Sequence, residues 1–113
     1  MKLDKTLKEF LMYEISNYEK YKNELKNFNS MNGEDLFRYT GQYIKRIELT
    51  VQTIDNVLNA LSPEQKLIFE NTLLSGSGNI NTLSNELNYS ISSIYRCKSK
   101  IINEIAKGLG IIF

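Results

Sequence analysis

Apolar residues recur along the chain in steps of three and four, the period of helices that bury one face. Leu7, Leu11, Tyr18, Tyr21, Leu25 and Phe28 form the first stripe and predict a helix over about 3–29, interrupted only by Glu14. Its spacing is close to the coiled-coil period. Asn29-Ser-Met-Asn-Gly33 breaks the pattern, with Ser30 or Asn32 able to cap the next helix. A second stripe, Leu36, Tyr39, Tyr43, Ile47, Thr50 or Val51, Ile54, Leu58 and Leu61, predicts a helix over about 34–60. Two long helices joined by so short a break predict a hairpin. Leu61-Ser62-Pro63-Glu64-Gln65 is the sharpest local signal: Ser62 as N-cap, Pro63 at the first helical position, and Gln65 to complete a capping box. The helix it starts turns Leu67, Ile68, Phe69, Leu73 and Leu74 inward and stops at Ser75-Gly-Ser-Gly78. No segment reads as a strand, so the expected class is all-α.

The last third carries the pattern with most bearing on function. Leu83 and Leu87 stand four apart, so a short helix over about 80–87 buries both. Asn88 suits the left-handed conformation that closes a helix, and Ser90 is a preferred N-cap for the next. Two helices about three residues apart have the spacing of the DNA-binding helix-turn-helix. In the second of them Ile91, Ile94, Cys97 or Lys98, Ile101 and Ile105 face inward, leaving Ser92, Ser93, Tyr95, Arg96, Ser99 and Lys100 outside. Gly108-Leu-Gly110 ends that helix, and Ile111-Ile-Phe113 is expected to dock on the core. The chain thus divides into 1–60, a helical hairpin for association, and 61–113, a three-helix unit with the helix-turn-helix.

Composition narrows the function classes. A chain of 113 residues makes one modest core. No apolar run is long enough to span a membrane, and the charged first residues do not read as a signal peptide, so the expected setting is cytoplasmic. His is absent and Cys97 stands alone, which leaves no disulfide, no usual zinc ligand set and no common general base. The Ser75–Gly78 run lacks the Lys-Ser/Thr ending of a phosphate loop and reads as a flexible connection. No enzyme and no cofactor are expected. Net charge is only +1, but it is unevenly spread: residues 1–60 balance nine cations with nine acids, whereas 91–107 hold Arg96, Lys98, Lys100 and Lys107 against Glu104. Each phosphate contact adds about 0.9 to the salt slope, so four cations bind duplex DNA weakly and a second copy or a second protein is needed. Tyr13, Tyr18, Tyr21, Tyr39 and Tyr43 keep helical spacing and read as a hairpin or dimer seam rather than as stacking platforms. The stripe over 7–28 is too large to leave solvated, so it folds back on the second helix or pairs between chains, and a homodimer is the expectation.

The stretch from Ile54 to Ile112 resembles the helix-turn-helix of sigma-factor region 4, and more closely that of small phage late-transcription regulators of the ArpU and RinA type. The likeness rests on Leu61-Ser-Pro-Glu-Gln, Leu83…Leu87-Asn-Tyr-Ser90, Ile94-Tyr-Arg96, Ile105-Ala-Lys107 and Leu109-Gly110. Ser84 stands where such motifs usually place a small Ala. The resemblance implies that Ser90 caps the recognition helix and that Ser92, Ser93, Arg96 and Lys100 face DNA. Tyr95, Lys98 and Ser99 complete the candidate set, with Arg96 chosen for a guanine and Lys98 and Lys100 for phosphates. The expected function is a phage or prophage transcription regulator that binds double-stranded DNA, with RNA polymerase as a further partner. Two alternatives from other classes are a small terminase subunit for DNA packaging and a helical protein adaptor.

Overall fold

The computed structural model describes residues 4–30, 41–74 and 79–111. Among these the fold is all-α, with no strand. The helices are α1 (Lys5–Ser16), α2 (Tyr18–Ser30), α3 (Gly41–Asn59), α4 (Pro63–Phe69), α5 (Ile80–Leu87) and α6 (Ile91–Gly108), and α4 runs on into a π turn over Glu70–Leu74. No helix among the described residues is long and apolar enough to cross a membrane.

The first predicted helix is divided at Asn17. The Ser16 hydroxyl and the Asn17 amide both donate to the Tyr13 carbonyl, at 2.7 and 3.1 Å, and compete there with the Asn17 backbone N–H, which divides its bond between the Tyr13 and Glu14 carbonyls at 3.2 Å each. Asn17 sits at φ −91°, ψ 5°, and α2 starts at the next residue. A similar competition widens the end of α4, where Asn71 Nδ2 and Thr72 Oγ1 donate to the carbonyls of Leu67 and Ile68. The wider turn brings Leu73 into the core beside Phe69. Leu67, expected inside, is 42% exposed. The start predicted for the second helix, with Leu36 and Tyr39, lies outside the described residues, as do Ser75–Gly78, Ile112 and Phe113.

The main core joins both halves of the chain. Leu11, Ile15, Tyr18 and Tyr21 pack with Ile44, Ile47, Val51 and Ile54 of α3, with Phe69 and Leu73, and with Ile101, Ile102, Ile105 and Ala106 of α6. The stripe over 7–28 therefore folds back within one chain: α2 packs along α3, and α1 packs on α6 and the π turn. A smaller cluster of Ile68, Leu83 and Ile94 supports α5, and Cys97 touches both clusters.

Glu14, the charge that interrupts the first stripe, is 2% exposed. Its carboxylate accepts from the Arg46 guanidinium and the Tyr21 hydroxyl, and Arg46 lies 5.7 and 5.6 Å from the ring centres of Tyr21 and Tyr43. Burial and the bond to Glu14 push the Tyr21 hydroxyl up to about 12. Tyr18 donates to Asp55, and burial with that bond holds its hydroxyl protonated well above the usual range. Among the described residues no buried side-chain polar atom lacks a partner.

One close approach and one left-handed glycine fix the end of α6. A Cβ on Gly108 would lie 2.5 Å from Thr53 Cγ2, so only glycine lets α6 and α3 meet there. Gly110, at φ 76°, then closes the helix: Ile111 N donates to the Ala106 carbonyl at 2.9 Å and Gly110 N to that of Lys107 at 3.0 Å. Ile111 packs on the main core, as expected for the start of the tail.

Candidate nucleic-acid interface

Side-chain caps define the turn between α5 and α6. Asn79 Oδ1 accepts from the backbone N–H groups of Asn81 and Thr82 at 2.8 and 3.3 Å and opens α5. Asn88 closes it in the left-handed region, at φ 58°, ψ 38°. Tyr89 N then reaches back to the Ser84 carbonyl at 3.1 Å, while the Ser84 hydroxyl donates to the Tyr89 carbonyl. Ser84 thus pins the turn from both sides. The Tyr89 hydroxyl donates to Glu64 at 2.5 Å, tying the turn to the first turn of α4, and that bond to a carboxylate raises its pKa. Ser62 and Gln65 form the predicted capping box at the start of α4.

Ser90 opens α6 as predicted: its Oγ accepts from Ser93 N at 3.1 Å. Its hydroxyl also donates to Ser93 Oγ at 2.9 Å, and Arg96 Nη2 donates to Ser93 Oγ at 3.3 Å. The cap, Ser93 and Arg96 form one chain along the helix surface, so the guanidinium is held over the first turn of α6. A rotamer restrained in the free protein loses less entropy on binding.

Tyr95, Arg96, Ser99, Lys100 and Asn103 share an open groove of about 460 Å³ along the outside of α6. Four of these belong to the predicted set. Ser90 and Ser92 are exposed beside it, Ser93 is half-buried under the Arg96 bond, and Lys98 is half-buried on the flank. From Ile91 to Asn103 the helix carries Arg96, Lys98 and Lys100 and no acid. Glu104 is 3.6 Å from Lys107, which reduces the charge at the far end. Two nearby acids belong to other elements: Glu64 is engaged by Tyr89, and Glu86 is exposed on α5. Cys97 sits half-buried beneath the face, and burial pushes its thiol up against the opposing influence of Lys100.

The face differs from the expected one in four residues. Asn103, Glu104 and Lys107 extend the groove by two turns, which the step of three or four from Ser99 and Lys100 already indicates, and Glu104 brings an acid to its far end. Ile91, placed inward by periodicity, is 41% exposed. No positional signal marks that departure, because the supporting cluster under the start of α6 reaches only Ile94.

No family model, curated protein or solved structure matches this chain.

Proposed function

We propose that the chain is a sequence-specific DNA-binding transcription regulator, encoded by a phage or prophage, acting in the cytoplasm and without catalysis. The observation that supports it best is the outer face of α6. It is cationic, rich in hydroxyls, free of acids over its first three turns and raised by a turn capped at both ends. In this reading α6 enters the major groove, Arg96 takes a guanine edge, Ser92 and Ser93 add hydrogen bonds, and Lys98 and Lys100 contact phosphates. Asn103 and Lys107 extend the contact along the backbone.

The N-terminal helices contribute association. Since the stripe over 7–28 is used inside one chain, a second copy would use other residues. Phe10 and Leu49, both nearly half exposed, line one groove with Ile111. Pairing of two such grooves about a two-fold axis presents two α6 faces to one site, which offsets the few cations on each. RNA polymerase is the further partner proposed.

Selection from a random duplex pool with the full chain, followed by a salt titration on the winner, tests this reading. The expected outcome is a site of one or two half-sites about one helical turn apart. Arg96→Ala should cost specific binding about 1–3 kcal/mol, and Lys100→Ala should weaken all sequences alike and lower the salt slope by about 0.9. Closed rings on a longer, bent segment would indicate a packaging subunit. No enrichment with a slope near zero would overturn DNA binding and leave an adaptor.

A further inference from the structure

Ile91 is an anomaly on a face whose first turns otherwise carry hydroxyls and cations. It is the first residue of α6, held there by the Ser90 cap, and 41% of it is exposed. Tyr95, one turn further along the same side, is 51% exposed. Together they lay a short apolar strip on the outside of the helix, bordered by Ser92, Arg96, Lys98 and Ser99. The neighbouring cluster of Ile68, Leu83 and Ile94 does not include Ile91.

An apolar strip set among cations calls for a ligand that is anionic at its edges and carries an apolar group between them. The major groove of duplex DNA has this composition: phosphates line its walls, and the 5-methyl group of thymine is the apolar group on its floor. Resting on the DNA-binding reading above, we infer that Ile91 is a specificity-determining residue that packs on a thymine methyl. The site would then be defined by that methyl as well as by the guanine edge opposite Arg96. Tyr95 shields the contact from water on its outer side, and Ser90 fixes its height by setting where the helix begins. Sequence preference at this position comes from shape and desolvation, with no hydrogen bond involved.

The experiment uses the full chain and the site enriched from a random duplex pool. Each thymine of that site is replaced in turn by deoxyuridine, which keeps every hydrogen-bonding group and removes only the methyl. One replacement per half-site should weaken binding about fourfold, the weight of one buried methyl group. Ile91→Ala should lose about the same on the unmodified site, lose nothing further on the deoxyuridine site, and melt like the parent. Ile91→Val, which keeps a branched side chain, should retain part of the preference. If no replacement matters, or if Ile91→Ala keeps the parent's sensitivity to deoxyuridine, the inference is overturned while DNA binding stands. If no site is enriched, the DNA-binding reading fails and this inference fails with it.

Discussion

The two ends of α6 rest on different foundations. Its C-terminal half supplies Ile101, Ile102, Ile105 and Ala106 to a core built with α1, α2, α3 and the π turn, and Gly108 meets Thr53 at a distance that leaves no room for a Cβ. Its N-terminal half stands on Ile94 and a cluster with only two other buried members, Ile68 and Leu83. What fixes the latter is local chemistry: Asn79, Ser84, Asn88, Ser90 and the Tyr89 bond to Glu64. Hydrophobic burial sets where the helix lies, and side-chain caps set how its first turns are presented. The exposed side of the first turns can therefore change without disturbing the anchor, and Cys97, touching both clusters, is the joint between them.

Ile105→Ala should break the anchor, costing about 4 kcal/mol in chemical denaturation and lowering protection from hydrogen exchange in every helix. Retention of protection in α1 would show that the two halves of the chain do not share one cooperative core. Arg46→Ala should come next at about 3 kcal/mol, because the buried Glu14 carboxylate loses its cation. Adding Glu14→Gln should restore part of that loss, since the amide carries no charge to leave unpaired; an additive further loss would mean that Arg46 acts through packing on Tyr21 and Tyr43 instead. Leu83→Ala is the smallest of the three, about 2 kcal/mol, and should raise exchange in α5 and the turn while α1, α2 and α3 stay protected. Equal loss of protection in α3 would erase the distinction between anchor and presented face.

Features governed by neighbours in sequence are legible in it. The capping box at Ser62 and Gln65, the left-handed Asn88, the Ser90 cap and the limits of α5 all arise from interactions within a few residues. Features governed by distant partners are not. Glu14 interrupts a pattern until Arg46 and Tyr21 are brought to it, and Gly108 is ordinary until Thr53 is placed opposite. Periodicity misses Ile102 as a core residue because α6 touches α5 near its start and α1 and α3 near its end, so its buried face broadens along the helix. Ile91 is lost to the core for the same reason. At the candidate site, periodicity places Tyr95, Arg96, Ser99 and Lys100 on one side, and the fold gathers them in one groove. Which ligand fills that groove is a matter of chemistry, and periodicity is silent on it.

Because Leu11 and Ile15 share a core with Ile101, Ile102 and Ile105, α1 leaves the ribosome well before the helix that completes its core. At ordinary synthesis rates the interval is on the order of 5–20 s, long compared with the time a helix needs to form. Throughout it the apolar side of α1 has no partner from α6, and the nascent chain carries there a surface open to chaperones, proteases and other nascent chains. Translation speed between α1 and the end of α6 thus sets how long that surface stays uncovered.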